Sequence, residues 1–176
     1  MTDDAALRTA FEPFSDRLQA LGIREVALAS QVSVRVDERG ATMLDFPTEP
    51  NTWSGLDGRE VLWLGPDEWL LTAEVAAANE VIADLDARLE PAGHRSIVDV
   101  SANRAVLDLD GDDRRDLLAS GCGLDLHPRF WRSGMCAQTL LANVAVLLRE
   151  RGDATRVFVR PSFAGHLVRW FEAVTG

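Results

Sequence analysis

Residues 61–71 read VLWLGPDEWLL, two apolar runs separated by Gly65-Pro66-Asp67-Glu68. Pro66 presets φ for the first central position of a β-turn, and Asp67 suits the second. The segment is therefore strand, turn, strand, and the chain is built on antiparallel hairpins. Trp63 and Trp69 flank the turn on opposite strands, close enough to pack on a shared face. Asp67 and Glu68 also form a carboxylate pair of the kind used in acid/base catalysis. A general acid needs a desolvated site in a cleft, whereas a turn tip is wet, so the turn reading prevails.

Upstream, Leu7, Phe11, Phe14, Leu18 and Leu21 recur at helical spacing and stop at Gly22. Pro13 places the start of the regular helix there, after a looser lead-in. From Glu25 to Asp37 the pattern alternates as in a half-buried strand, with Val32, Val34 and Val36 on one side. Asp37–Gly40 is expected to turn the chain and ATMLDF to return it as a hairpin. PTEPNTWSGLDG, rich in Pro, Gly, Asn and Asp, reads as a long loop carrying Trp53.

Downstream, helical spacing resumes at Ala78, Ile82, Leu85 and Leu89. SIVDVS and RAVLDLDG form another strand pair around Ser101-Ala102-Asn103, and DDRRDLLAS a short helix with acids in its first turn. MCAQTLLANVAVLLRE reads as one long strand, RGDA turns it into TRVFVR, and the chain closes with a helix over Phe163, Leu167, Trp170, Phe171 and Val174, N-capped by Ser162. Strand pair and helix thus occur twice. The expected class is α+β with mostly antiparallel sheets: an N-terminal arm and helix over residues 1–24, then a single domain over 25–176 made of two similar halves, about 25–95 and 96–176.

The chain has 176 residues, enough for one domain with a sizeable core. Its net charge is −10, and all 18 basic residues are arginine. Without lysine there is no Schiff base, phosphate-loop lysine or lysine general base. An acidic surface repels the phosphate backbone, so nucleic acid is not an expected partner. No apolar run suits a membrane span, and the N-terminus MTDDAALRTAF is not a signal sequence, so a cytoplasmic location is expected. Cys122 and Cys136 are fourteen positions apart, a spacing foreign to metal or redox motifs, and read as reduced structural thiols.

No catalytic constellation emerges. His94, His127 and His166 are not at ligand spacing, and HExxH, GxSxG, GxGxxG and phosphate-loop motifs are absent. Arg151-Gly152-Asp153 is turn chemistry, and Ser101 has no local base.

Taken in order, PTEPNTW, VLWLGPDEWLL, IVDVSANRAVLDLDG, LLASGCGLDLHPRFW, GMCAQTLLANVAVLLRE and VFVRPSFAGHLVRWFEAV resemble the gamma subunit family of heterotetrameric sarcosine oxidase, from about Pro47 to the C-terminus. The resemblance implies a fold like the folate-binding domain of glycine cleavage aminomethyltransferase. It also implies a non-catalytic accessory role in a complex that oxidises sarcosine to glycine, passes the one-carbon unit to tetrahydrofolate and yields hydrogen peroxide. In that family the alpha subunit holds NAD and the folate site, beta holds FAD and shares a covalent FMN, and delta carries zinc; gamma has no cofactor and packs against alpha. The alternative is a stand-alone folate-binding or one-carbon-transfer protein. Relatives of that kind tend to carry a KGCxxGQE-type segment, and here RSGMCAQTLLAN lacks its Lys and second Gly.

For an accessory subunit the candidate site residues are interface anchors, since Trp and Arg are enriched at hot spots. Those candidates are Trp53, Trp63 and Trp69, with Arg129, Trp131 and Arg132 of the PRFWRSG loop. The neighbours of Trp63 and Trp170 also suit a core position. An exposed apolar patch and self-association are expected of the isolated chain.

Overall fold

In the computed structural model, which describes residues 9–91 and 94–176, the elements follow one another twice in the same order. Leu7 lies outside the described residues. A 3₁₀ turn at Glu12–Phe14 leads into α1 (Ser15–Ala20), which ends where Gly22 adopts a left-handed φ of 68°. The first run is then β1 (Ile23–Glu25), β2 (Ser30–Val36), α2 (Glu38–Met43), β3 (Trp53–Leu56), β4 (Arg59–Gly65), β5 (Glu68–Ala73) and α3 (Ala78–Arg88). The second is β6 (Arg95–Asp99), β7 (Ala105–Asp110), α4 (Arg114–Ala119), β8 (Cys136–Leu141), β9 (Val144–Glu150), β10 (Ala154–Val159) and α5 (Ala164–Thr175).

The strands form two five-stranded antiparallel sheets, ordered β3-β4-β5-β2-β6 and β8-β9-β10-β7-β1. Each sheet takes its last strand from the other run: β6 pairs with β2, and β1 pairs with β7. Neither run completes a sheet alone, so the two are interlocked through these edge strands.

Alternation along the strands sends side chains to two different cores. Val61, Trp69 and Leu71 face α2 and α3, meeting Val81 and Leu85. Leu107, Leu148 and Val157 face the helices of the other side, meeting Leu118, Leu167 and Phe171. Between the sheets lie Leu62, Leu70, Val106, Leu147 and Phe158. The architecture is four layers, helix, sheet, sheet, helix. Strands buried on both faces explain apolar runs such as WLL at 69–71, with no polar side to alternate.

The hairpin at residues 61–71 forms as its turn chemistry demands, with Trp63 directly opposite Trp69 and a bulge before Gly65. Four other expectations are corrected. The segment after Asp37 is not a hairpin but helix α2, because the Asp37 carboxylate accepts from the Gly40 N–H at 2.8 Å as an N-cap. The long loop around Trp53 contains strand β3, which turns into β4 through Asp57-Gly58, both at positive φ. The expected single strand at 135–150 is the hairpin β8-β9, whose turn Ala142-Asn143 also has positive φ, 51° and 64°. Ser162 does not cap the last helix: Pro161–Phe163 form a 3₁₀ turn and α5 begins at Ala164. The buried face of α5 is Ala164, Leu167, Val168 and Phe171, while Phe163 and Val174 are exposed.

Candidate functional site

Asp108 of β7, Arg149 of β9 and Arg156 of β10 turn toward the layer between the sheets, and all three are buried. Arg156 grips Asp108 with two bonds, Nε to Oδ1 at 2.7 Å and Nη2 to Oδ2 at 3.0 Å. It also reaches Glu60 and Glu74 from the facing sheet, each at 3.3 Å. Arg149 donates to Glu60 and lies 4.7 Å from the centre of the Trp53 ring, a cation–π stack. Arg24 of the exchanged strand β1 adds a contact to Asp108 at 3.2 Å.

Burial pushes the Asp108 carboxyl upward, but the bonds from Arg156 and the charges of Arg149 and Arg24 outweigh it and hold the group below the usual carboxylate range. Burial also lowers the Arg149 guanidinium, with Glu60 opposing. Buried ion pairs contribute little net stability compared with apolar packing, but breaking one is costly. The network ties the two sheets together, since arginines of one bond Glu60 and Glu74 of the other.

A second cluster centres on Glu150, whose carboxylate is fully buried on the helix side of β9. Its Oε1 accepts from Arg114, Arg115 and the Gly152 N–H, each at 2.9 Å. Its Oε2 accepts from Trp131 Nε1 at 2.9 Å and Thr155 at 2.5 Å. The backbone carbonyl of Glu150 accepts from the Trp53 indole at 2.8 Å. Burial opposes ionisation of Glu150, yet the Thr155 and arginine bonds hold it ionised below the ordinary glutamate range.

The six candidates lie in different surroundings. Trp69 and Trp131 are only 1% and 3% exposed, so they are core residues of this chain rather than surfaces for a partner. Trp69 donates to the Pro47 carbonyl at 2.8 Å and packs on Phe46. Trp131 holds the 127–135 loop onto Glu150. Trp53 and Trp63 are half-buried, the first sealing the inter-sheet network and the second packed on the α3-side core. Arg129 and Arg132 are exposed, and neither makes an ion pair among the described residues. Between them the sequence reading missed Phe130, which is 55% exposed. It alternates with the buried Trp131, and two adjacent aromatics leave their sides undetermined until the loop is folded.

The pair Asp67-Glu68 is bound to Arg35, at 3.4 Å and 2.6 Å, on the protein surface. Cys136 is buried, and its thiol is pushed up to about 12, which removes it as a nucleophile. A surface recess of about 480 Å³ brings Cys122, His166 and Trp170 together, but His166 Nε2 is bonded to the Ala142 carbonyl at 2.9 Å. Among the described residues, no three His, Cys, Asp or Glu side chains converge as metal ligands, and no helix is long and apolar enough to cross a membrane.

The architecture is the fold also seen in glycine cleavage aminomethyltransferase. The solved glycine cleavage system aminomethyltransferase T from Bartonella henselae superposes with a TM-score of 0.65 over 94% of this chain and 57% of that one, at 13% identity. Residues 41–175 match the model of the sarcosine oxidase, gamma subunit family, and the chain belongs to that family. It is 39% identical over 160 residues to sarcosine oxidase subunit gamma of Corynebacterium sp. strain P-1, covering 84% of this chain and 76% of that one. The Arthrobacter sp. gamma subunit is 37% identical over 169 residues, covering 89% and 81%. A chain of the solved heterotetrameric sarcosine oxidase from Corynebacterium sp. U-96, in complex with pyrrole 2-carboxylate, superposes with a TM-score of 0.84 at 32% identity, covering 93% of this chain and 92% of that one.

Proposed function

We propose that this chain is the non-catalytic gamma subunit of a cytoplasmic heterotetrameric sarcosine oxidase, which demethylates sarcosine oxidatively to glycine, transfers the one-carbon unit to tetrahydrofolate and forms hydrogen peroxide. The observation that carries the reading is the near-complete superposition, 93% of the chain, on a chain of a solved sarcosine oxidase heterotetramer. The side-chain chemistry agrees with it. Among the described residues, the buried charged groups bond one another across the two sheets and hold the 127–135 loop. FAD, FMN, NAD and zinc then belong to the other subunits, and the alpha subunit is the direct partner.

The surface offered to that partner is the loop carrying Arg129, Phe130 and Arg132. Trp131 anchors the loop from beneath, so its exposed residues are presented in a fixed geometry. A preorganised aromatic flanked by arginines is the composition of an interface hot spot. Trp53 and Trp63, half-buried at sheet positions, are secondary candidates.

Co-expression with the alpha, beta and delta subunits tests the reading. Co-purification of a flavin-containing complex that releases peroxide from sarcosine is expected, with Phe130→Ala weakening retention of this chain by about 2 kcal/mol. Tight tetrahydrofolate binding by the isolated chain, without assembly, would overturn it.

A further inference from the structure

One mouth of the inter-sheet layer brings two positive charges together, with no ion pair to either among the described residues. The register of β7 and β10 ends at Ala105 opposite Val159, and one further step places Arg104 across from Arg160. Both positions are in phase with Val106 and Phe158, which face the layer between the sheets. Like charges directly opposite on antiparallel strands are destabilising. In a chain of net charge −10 an acid would be expected beside them. None forms an ion pair with either arginine among the described residues; Glu68 of the facing sheet favours the Arg104 charge from a distance but is itself bonded to Arg35 at 2.6 Å. Arg104 is half-buried, its charge disfavoured by desolvation and then by Arg160. The duplicated fold supplies an internal control. In the other run the register ends at Ser30 opposite Ala73, so the equivalent step brings Ala29 to Glu74, a neutral residue and an acid. The fold therefore does not need two cations at this place.

We infer that Arg104 and Arg160 form a receptor for a carboxylate side chain of another subunit, seated at the mouth between the two sheets. This rests on the reading of the chain as a subunit of a heteromeric oxidase. A guanidinium pair flanking a carboxylate neutralises the repulsion and supplies charge-assisted bonds with fixed direction. One arginine is preorganised by partial burial, and the other lies exposed and able to close on the arriving group.

The test is Arg104→Gln, Arg160→Gln and the double variant in the co-expressed complex, with the exposed Arg39→Gln as a control of equal charge change. Each single variant is expected to release this chain from the complex about tenfold more readily, with a shallower salt dependence, while Arg39→Gln does not. The isolated full-length variants should melt at the wild-type temperature or above it, since a repulsion has been removed. Unchanged retention overturns the inference. So does a loss of retention matched by an equal fall in melting temperature, which marks a structural role. If citrate raises the melting temperature of the isolated wild type but not of the double variant, and assembly is unaffected, the site takes a free small carboxylate and the partner assignment is wrong. A wild-type chain that does not co-purify with the other subunits refutes the subunit reading itself, and the receptor with it.

Discussion

Glu150→Gln removes the negative charge from the most heavily bonded side chain among the described residues. The carboxylate accepts five hydrogen bonds, from Arg114, Arg115, Gly152 N–H, Trp131 and Thr155. Glutamine offers one acceptor oxygen, and its amide nitrogen must face donors on the other side. Removing one partner of a buried ion pair costs about 3–5 kcal/mol. The lower end applies here, because Arg114 keeps its bonds to the carbonyls of Gly111 and Gly152. A loss of about 3 kcal/mol lowers the melting temperature by about 6–12 °C in a chain of this size. Urea unfolding of the two full-length chains at neutral pH, followed by circular dichroism, measures it. The pH dependence adds a sign. The folded Glu150 titrates below its ordinary value of 4.5, so its contribution is complete above that value and is lost as pH falls through the folded one. Wild type and variant should therefore begin to converge in stability as pH falls below the ordinary glutamate value and become equal only below the folded one. A variant within 0.5 kcal/mol of wild type at pH 7, or a gap that widens in acid, would refute the account.

Gly121→Ala should cost about 1–3 kcal/mol, read by thermal melting, because a Cβ there would sit 2.5 Å from the Trp170 ring. Native thiol titration with a soluble disulfide reagent near pH 8 should label Cys122 alone, with Cys136 reacting only after unfolding, given its burial and a thiol pushed up to about 12. Asp67→Asn, at a turn where the side chain is 63% exposed and 3.4 Å from Arg35, should leave stability within about 0.5 kcal/mol and leave sarcosine oxidation by the complex unchanged. A large loss of turnover there would restore the catalytic reading of the pair.

Local chemistry written into the sequence determined the hairpin at Val61–Leu71, the helix end at Gly22, the turn at Arg151–Asp153 and the doubled order of strand pairs and helices. Each depends on neighbours a few residues apart, through turn propensity, period or a glycine at positive φ. The family resemblance was legible for the same reason, as an ordered set of short motifs. The Ala142-Asn143 turn was not, since neither residue is glycine and the left-handed backbone is held by distant groups: Gly121 O accepts from Ala142 N–H at 2.9 Å, and His166 grips the Ala142 carbonyl. Helix α2 escaped because its cap, Asp37, is also an ordinary turn residue. What only the tertiary structure decided was non-local. The exchange of β1 and β6 between sheets is a pairing over some eighty residues for β1, invisible to any window. The same folding buried Trp69 and Trp131, left Phe130 outside, and set Arg149, Arg156 and Asp108 in a shared layer while giving Arg104 and Arg160 no ion pair among the described residues. An arginine in a strand has one identity in the sequence, and its role depends on whether the opposite sheet brings it a carboxylate.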